Sequence, residues 1–526
     1  MDTKALRQKI LDLAIRGKLV PQDPNDEPAS VLLERIRQQK QQMVKEGKLK
    51  PKDIKNDSVI FVGEDNLHYE KFSDGSVKCI EDEVPFDLPD SWAWERLSNL
   101  ASFSGGKTPS TSRSEYWDGD ILWVTSKDMK SKYITSSQLR LSALGAEQMQ
   151  MYQPDTLLLV TRSGILRHTL PVAILKECAT INQDLKAIIL YMPQLAEYIY
   201  VCLKGMETQL LLKYTKSGTT VENVNFDEFQ KVLLPIPPIQ QIDRIMSSTG
   251  SAESVVSTIE DDKVALADYV IKAKSKILDL AIRGQLVPQD PDDEPASVLL
   301  ERIRAEKEEL IKQGKIKRDK KESVIFRGED NSYYEKMADG KLHCLDDQLP
   351  FELPDGWEWC NLSMIGTTNI GLTYRPTDIE PGGIMVLRSC NIVNDQVDLS
   401  GLVRVKTTVR ENQFAQKNDI LICARNGSRS LVGKCALIPD LREPASFGAF
   451  MAIYRTEYFE FIVHYLRSSF FRSVFDDSNS TAINQLTQDM LKRAIVPLPP
   501  LSEQRRIVEA IGAMLFELNQ IEKSLS

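Results

Sequence analysis

Apolar residues recur at helical spacing in two long stretches of the chain. From Ile507 to Leu525 they follow one another at alternating intervals of four and three residues, which is the seam of a heptad repeat. A similar stripe runs from Val256 to Ile277 and ends before Gly284. It predicts one central helix over residues 239–284, which at 1.5 Å per residue is about 69 Å long. Residues 247–254 are poor helix formers, so a bend or a break there remains an alternative.

Shorter apolar runs elsewhere in the chain are typical of strands. They occur at 120–125, 155–160, 186–190, 384–388, 419–424 and 451–455, with helical patterns at 194–214 and 459–475. These runs form two groups, one from 120 to 214 and one from 384 to 475. A PxPP segment follows each group, and such a segment cannot continue a helix or a central strand. The pattern therefore predicts two regions of mixed α/β structure, each followed by a helix.

The two halves of the chain are related by an internal repeat. Residues 10–37 return at 277–304 with two differences. The similarity runs on to a Trp-x-Trp motif, stops there, and resumes at the PxPP segment. Each half is therefore a shared frame around a private insert, named insert 1 (95–231) and insert 2 (360–493).

The frame carries its own structural signals. Gly17 and Gly284 suit the left-handed position that follows a helix C-terminus. Several prolines come next, and a second, charged helix is predicted at 29–46 and again at 296–313. Asp74-Gly75 and its copy Asp339-Gly340 lie between short β-prone runs, which predicts a β-hairpin in each half.

The terminal stretches complete this pattern. Residues 1–17 and 501–526 supply 43 residues together, close to the 46 of the predicted central helix. Placed end to end, they would form a second copy of that helix. We therefore expect a circular arrangement of two units about a pseudo-twofold axis, with the chain termini close in space.

Composition indicates a globular chain of several domains. Its 526 residues exceed what one core usually supports, and no stretch approaches the ~20 apolar residues of a membrane span. Eight cysteines without a CxxC pair, and only four histidines, argue against a structural zinc site. The N-terminus lacks the apolar region of a signal peptide. We expect a reduced, cytoplasmic protein without membrane contact.

The net charge of −9 argues against nucleic-acid binding until it is divided along the chain. Residues 91–235 and 356–497 each hold 15 Lys and Arg against 14 Asp and Glu. The acidity therefore lies in the frame, and the inserts are free to carry local basic surfaces.

Catalytic motifs are weak or missing. GGKT at 105–108 ends like a phosphate-binding loop, but such a loop needs a glycine at the position of Ala101 and a buried strand before it. Pro109 follows at once. Neither a dinucleotide-binding fingerprint, nor a zinc-protease or nucleophile-elbow motif, nor the Asn-Pro-Pro-aromatic motif of amino-methyltransferases occurs. We predict a non-catalytic binding protein, with no catalytic and no metal-binding residues.

Glycine-punctuated polar loops are the candidate chemistry of the inserts. Short polar side chains on such loops suit phosphate contacts, and Arg and Asn can read base edges through paired hydrogen bonds. An ordinary solvated loop is the alternative for any single residue, but recurrence in both inserts favours DNA. The candidate DNA-binding residues are Lys107, Thr108, Ser110, Lys127, Arg162, Ser163 and Arg167 in insert 1, and Arg375, Arg388, Asn391, Arg425, Asn426, Ser428 and Arg429 in insert 2.

The chain resembles the DNA-specificity (S) subunit of type I restriction–modification systems. The resemblance covers nearly the whole chain and is carried by ILDLAIRGKLVPQDPNDEPASVLLERIR and its copy, PFDLPDSWAWERL and PFELPDGWEWCNL, GKTPSTSRSEYWDGDILWVTSKDM, LRSCNI, DILICARNGS, VLLPIPP and VPLPPLSEQRRIV. One departure is visible. LSEQRRI at 501–507 has the family pattern, whereas IQQIDRI at 239–245 has Gln241-Ile242 in place of the Glu-Gln pair. Whether both helix starts make the same partner contacts is therefore open.

The resemblance implies an α+β fold. Two mixed α/β target recognition domains are joined by long antiparallel coiled-coil helices in a pseudo-twofold circular arrangement. The implied segments are an N-terminal conserved helical region (1–50), a hairpin segment with recognition domain 1 (51–237), a central conserved helical region (238–316), a hairpin segment with recognition domain 2 (317–500) and a C-terminal conserved helix (501–526).

The resemblance also implies a function. Each recognition domain would read one half of a bipartite, asymmetric site in double-stranded DNA, while the helices set the spacer and dock two methyltransferase subunits. Two restriction subunits would join through the complex. This chain would need no cofactor, because S-adenosylmethionine, ATP and Mg²⁺ would belong to the partner subunits. Two alternatives stay open: the specificity half of a fused methyltransferase–nuclease, and a structural coiled-coil adaptor.

Overall fold

The computed structural model describes residues 2–216, 221–316, 318, 322–476 and 485–525. The chain divides into two compact units, Met1–Asp262 and Lys263–Ser526. Each contains a frame and an insert of helices and sheets, which confirms the predicted α+β class with two domains. In the part of the chain that the structure describes, no helix is long and apolar enough to cross a membrane. The circular placement of the units and the five-segment division stay predictions.

The central helix runs from Ile239 to Ile282 without interruption. It starts at the predicted residue and ends two residues before the predicted end at residue 284. The alternative of a break at 247–254 is wrong. Thr249 within this stretch and Val256 just after it are buried, and such tertiary packing outweighs the low helix propensity of the residues around them.

In the first unit the N-terminal helix, Thr3–Ile15, forms ion pairs with the central helix. Arg7 pairs with Glu253 and Glu260, whereas Asp26, beyond the end of the helix, pairs with Arg244. These ion pairs tie the N-terminal helix and the loop after it to the first half of the central helix.

In the second unit the C-terminal helix, Leu501–Leu525, has the same relationship to the central helix. Lys274 pairs with Glu522 and Asp293 pairs with Arg506, both over 2.6 Å. The repeat in the sequence is therefore also a repeat of tertiary contacts.

Frame strands close both ends of each insert. Ala93–Arg96 pairs antiparallel with Leu233–Ile236, and Glu358–Asn361 pairs antiparallel with Ile495–Leu498. Because these ladders bring the first and last residues of an insert together, the insert can differ between units without disturbing the frame.

The predicted hairpins are confirmed and extend to three-stranded antiparallel sheets, named hairpin sheets here. Gly75 and Gly340 have φ of 83° and 84° in the tight turns, a conformation that favours glycine. Gly17 and Gly284, with φ of 67° and 65°, are left-handed as predicted. The strands are Ser58–Val62, His68–Phe72 and Val77–Cys79 in the first unit, and Ser323–Arg327, Tyr333–Met337 and Leu342–Cys344 in the second.

The inserts each contain one larger and one smaller sheet. In spatial order, the larger sheet of insert 1 is Ala101–Gly105, Leu185–Leu190, Leu157–Val160, Val172–Leu175 and Tyr133–Ile134, and the smaller is Ala179–Ile181, Trp117–Val124 and Leu139–Leu141. In insert 2 the larger is Thr367–Ile370, Met451–Arg455, Ile420–Cys423, Cys435–Leu437, Gln396–Val397 and Ile392–Val393, and the smaller is Val403–Val405, Ile379–Leu387 and Ala445–Phe447. A further pair, Thr215–Lys216 and Asn223–Val224, lies in insert 1.

The other helices agree with the sequence pattern. The charged frame helices are Ala29–Lys45 and Ala296–Lys312, and the predicted helical stretches of the inserts each divide into two helices. These are Ala196–Gly205 with Glu207–Tyr214, and Phe459–Arg467 with Ser469–Asp476; short helices are Leu97–Leu100, Ala143–Ala146, Phe226–Phe229, Leu362–Ile365 and Gln488–Arg493.

Candidate nucleic-acid interface

Four loops of insert 1 lie at the same end of the strands of its two sheets. Ala101–Gly105 and Leu157–Val160 both pair antiparallel with Leu185–Leu190, so the ends of the first two strands lie beside the start of the third. Trp117–Val124 runs parallel to Ala179–Ile181 and ends beside its end. The loops that follow or precede these strands, 106–113, 161–168, 182–184 and 125–131, therefore share this edge, named recognition edge 1.

Backbone hydrogen bonds fix these loops to one another. Lys107 N–H donates to Ile181 O over 3.0 Å, and Thr161 N–H donates to Asp184 O over 2.8 Å. Asn182 N–H donates to Val124 O over 3.0 Å. Six of the seven candidate residues of insert 1 lie on two of these loops, and Lys127 lies on a third. The structure thus brings together all seven residues that the sequence singles out there.

Insert 2 builds the same edge, named recognition edge 2, from loops 371–378, 388–391, 424–432 and 448–450. Leu372 N–H donates to Phe447 O over 2.7 Å, and Ala424 N–H donates to Phe450 O over 2.9 Å. Gly448 N–H donates to Leu387 O over 2.9 Å. Each bond matches one in insert 1, although the loop sequences differ. All seven candidate residues of insert 2 lie on three of these loops.

The two edges put equivalent arginines in the same place. Arg162 forms an isolated antiparallel bridge with Asn223, and Arg425 forms one with Gln485. Both arginines are exposed. The guanidinium carbon of Arg425 lies 5.5 Å from the centre of the Phe450 ring, a cation–π arrangement, whereas Asp184 occupies the position of Phe450 in insert 1.

Most of the candidate side chains face solvent. Exposed at the two edges are Lys107, Thr108, Ser110, Lys127, Arg162, Arg167, Arg375, Arg425, Ser428 and Arg429. Exposed donors on loops that are held by backbone bonds are suited to contacts with phosphates and base edges.

The side chains of three other candidates form hydrogen bonds within their own loops. Ser163 is half-buried, and its hydroxyl accepts from Ile165 N–H. Asn391 is buried; its side chain accepts from Arg388 N–H over 3.0 Å and donates to Asp398 O over 3.1 Å. Asn426 is half-buried, and its side-chain oxygen accepts from Ser428 N–H over 3.0 Å. These contacts shape the loops that carry the exposed cations.

Acidic and titratable neighbours set the charge of the edges. Arg167 donates to the buried Glu222 over 2.5 Å, so part of its charge is already compensated. Burial raises the pKa of Tyr152, whose hydroxyl donates to Ser104 just before loop 106–113, and of the Cys423 thiol, and both groups stay neutral at pH 7. Lys and Arg also outnumber Asp and Glu on the loops of both edges, so positive charge dominates what the edges present.

Two glycines allow the first loop of each edge to pack closely. A Cβ at Gly106 would lie 2.1 Å from Asn182 O, and one at Gly371 would lie 2.2 Å from Gly448 O. Any other residue would push the loop away from the sheet. The GGKT sequence is therefore explained by packing, which agrees with the rejection of a phosphate-binding loop.

The sequence did not reveal the loops at 182–184 and 448–450. Gln183 bonds the hydroxyl of Thr108, and Phe450 is 61% exposed. Both loops lie between two strand-like runs of the sequence, and in the second loop a large aromatic residue, Phe450, falls in the turn. That pattern is the sequence signal that could have identified them. In the described part of the chain, no cluster of His, Cys, Asp or Glu is placed to hold a metal ion.

Comparison with known proteins decides the family. The family model for the type I restriction modification DNA specificity domain matches residues 89–251 and 354–525, once in each unit. The chain belongs to this family. The two matches cover both recognition edges and the frame strands that enclose them, so both units are specificity domains.

Individual relatives agree. The chain is 27% identical over 581 residues to the type I restriction enzyme EcoAI specificity subunit of Escherichia coli, with 99% of this chain and 90% of that one covered. It is 25% identical over 602 residues to the EcoEI specificity subunit of the same species, with the same coverage. A solved structure of the HsdS subunit from Thermoanaerobacter tengcongensis aligns over 84% of this chain and 93% of that one, with 15% identity and a TM-score of 0.48.

Proposed function

We propose that the chain is the sequence-specific DNA-binding subunit of a type I restriction–modification complex, in which each recognition edge reads one half of a bipartite, asymmetric site. The observation that carries the proposal is that the two edges share three matching backbone hydrogen bonds but carry different side chains. At one equivalent position insert 1 exposes Lys107 where insert 2 buries Leu372, and at another insert 1 has Asp184 where insert 2 exposes Phe450. Two readers built alike but with different chemistry suit two different half-sites.

The frame has the complementary property. Its ion pairs and helices recur in both units, so it offers two like surfaces to two copies of one partner. In this proposal the partners are two methyltransferase subunits, and two restriction subunits join through them. The helices fix the distance between the recognition edges and hence the unread spacer.

The chemistry belongs to the partners. This chain contributes DNA recognition and no catalytic group, and S-adenosylmethionine, ATP and Mg²⁺ act on the methyltransferase and restriction subunits. The complex acts in the cytoplasm, where chromosomal DNA lies. The acidic frame need not touch DNA, because the methyltransferase subunits supply part of the phosphate neutralisation.

The proposal is tested by gel shift of DNA carrying the methylated site, with the co-purified methyltransferase, at low and at high salt. We expect specific binding that weakens with salt, because cationic side chains displace counterions from phosphates. Arg162→Ala and Arg425→Ala should each weaken binding about tenfold or more, in line with the loss of one base or phosphate contact. Lys52→Ala, an exposed lysine of the frame, should leave it unchanged.

Other outcomes favour the alternatives. Absence of DNA binding with the partner present would favour a coiled-coil adaptor. Cleavage or methylation by a single fused polypeptide in the host would favour the specificity half of a methyltransferase–nuclease.

A further inference from the structure

Each hairpin sheet has one face packed on its frame and one face in solvent. In the first unit Ile80 is buried in a cluster with Trp94 and Leu233, and Ile60 packs against it. The side chains between these positions point the other way, because neighbours along a strand alternate between faces. The solvent face carries Val59 and Phe61 of the first strand, Tyr69 and Lys71 of the second, and Val77 and Cys79 of the third.

This solvent face is apolar. Val59 is 39% exposed, Phe61 41% and Val77 53%. The rings of Phe61 and Tyr69 stack with their centres 5.9 Å apart, so they form one flat aromatic surface. An exposed apolar group of this kind on a rigid sheet is typical of a protein–protein contact.

The second unit repeats the face almost residue for residue. By strand register the equivalent positions are Val324, Phe326, Tyr334, Lys336, Leu342 and Cys344, and five of the six are identical to their counterparts. The rings of Phe326 and Tyr334 stack at 6.0 Å. The Tyr69 and Tyr334 hydroxyls each donate to an aspartate, Asp65 and Asp330, over 2.7 Å.

The packed side of the sheets is less alike. Ser58, Ile60 and Glu70 recur as Ser323, Ile325 and Glu335, but Val62, His68, Phe72 and Lys78 are replaced by Arg327, Tyr333, Met337 and His343. When a sheet only has to fold, residues of the packed face are the more constrained, because they fill the core. Folding accounts for the identities at the buried Ser58 and Glu70 but not for the five identities on the solvent face, which indicates that this face has a function outside the fold.

The charge and the duplication indicate the kind of partner. Glu64 and Asp65 are exposed at the tip next to Phe61, and Glu329 and Asp330 repeat them, so this surface repels DNA phosphates. A second copy of this chain is also disfavoured, because two self-adhesive faces on one chain would build open polymers. A different protein that binds in two identical copies fits both observations.

We propose that the solvent face of each hairpin sheet docks one methyltransferase subunit, through an apolar pocket for Phe61 or Phe326 with a basic rim for the acidic tip. The proposal rests on the proposed function, which supplies a partner in two copies. It goes beyond the specificity domain itself, because the matches to that domain begin at residues 89 and 354, after both sheets.

The unaltered protein offers a direct test. Cys79 and Cys344 lie on the two faces, and Cys178 and Cys390 are exposed elsewhere. The rate of maleimide labelling of each cysteine is measured by mass spectrometry, in the free chain and in the complex with the methyltransferase subunit. We expect Cys79 and Cys344 to label about tenfold more slowly or less in the complex, because interface cores exclude water, and Cys178 and Cys390 to label at the same rate.

Variants test the stoichiometry. Phe61→Ala should leave one of the two methyltransferase subunits bound about tenfold more weakly, Phe326→Ala should do the same for the other, and the double variant should affect both. Val77→Lys with Leu342→Lys gives the same prediction without removing a packed ring, because both side chains are exposed on the two faces and a lysine there would meet an apolar pocket with a basic rim. Leu144→Ala and Leu399→Ala, exposed apolar residues of the inserts, should bind two copies as before.

The two proposals fail in different ways. If two methyltransferase subunits bind and Cys79 and Cys344 still label at the free rate, the docking proposal is wrong and the proposed function stands. If no methyltransferase subunit binds the unaltered chain, the proposed function fails as well.

Discussion

The indole N–H of Trp92 donates to Oε1 of Gln241 over 2.8 Å, and in the second unit the indole of Trp357 donates to Oε2 of Glu503 over 2.9 Å. Gln241, which departs from the family pattern, therefore still accepts the indole hydrogen bond, with an amide oxygen in place of the carboxylate of Glu503. Both helix starts hold the first tryptophan of the Trp-x-Trp motif in the same way, and whether they make the same partner contacts stays open.

The two indole bonds should differ in energy. Trp357→Phe leaves the buried carboxylate of Glu503 short of a donor, whereas Trp92→Phe leaves only the amide oxygen of Gln241. We expect the free energy of unfolding to fall in both variants, and by about 1–3 kcal/mol more for Trp357→Phe, since unsatisfied charged groups are the more costly. Urea denaturation measures the difference, and an equal or larger loss for Trp92→Phe would count against this account.

Close packing of the first recognition loop should be needed for reading one half-site. Gly106→Ala places a methyl group against the backbone of Asn182 and must displace the loop that carries Lys107 and Thr108. We expect recognition of the first half-site to weaken about tenfold or more, because sub-ångström placement of contacts decides affinity. Gly164→Ala is the matched control, since no atom lies within 4 Å of a Cβ there. Equal binding by both variants, measured by gel shift, would contradict the loop's assigned role.

A buried acid should make the first unit sensitive to pH. Burial raises the pKa of Glu95 to about 7, while Asn99 and Arg96 N–H donate to its carboxylate. The folded state therefore holds a proton that the unfolded chain releases near pH 4.5, and stability falls as the pH rises from there to about 7.

Glu95→Gln removes this titration. We expect the variant to gain stability over the natural chain between pH 5 and 7, reaching up to about 3 kcal/mol and levelling off above pH 7. Thermal denaturation at several pH values measures it. The second unit has Cys360 at this position, so the effect should be confined to the first unit. A difference that does not change with pH would rule out Glu95 as its source.

The central helix should act as a spacer. Seven residues inserted after Asp262 would lengthen it by about 10 Å, which corresponds to about three base pairs. We expect a longer unread gap between unchanged half-sites, read from the positions of methylated adenines. Changed half-sites at the old spacing would show that the helix does not set the gap.

The periodic parts of the chain were predictable. The heptad stripe predicted the central helix to within two residues, and the Asp-Gly pairs predicted the hairpins, because both signals are local. Strand Trp117–Val124 starts three residues before its predicted position, since its pairing with Leu141 shifts register between Trp117 and Ile121. Such a bulge depends on the partner strand.

The recognition edges were predictable only in part. Exposed cations such as Arg162 and Arg425 stand out in polar loops, and the structure brings these loops together. Phe450 and Asp184 escaped notice because their place beside the arginines depends on the order of strands in the sheet. Asn391 is a candidate for contact with bases, but its buried side-chain amide donates to the backbone carbonyls of Asp398 and Ser400. No local sequence pattern reveals these bonds.

The most direct test of the account is to replace residues 95–231 with the insert of another specificity subunit and to map the methylated adenines in a host genome. The frame strands Ala93–Arg96 and Leu233–Ile236 pair at the two ends of the insert, so a different insert should leave the frame intact. We therefore expect the first half-site alone to change, with the second half-site and the spacer kept. A change in both half-sites would contradict the claim that each insert reads its own half.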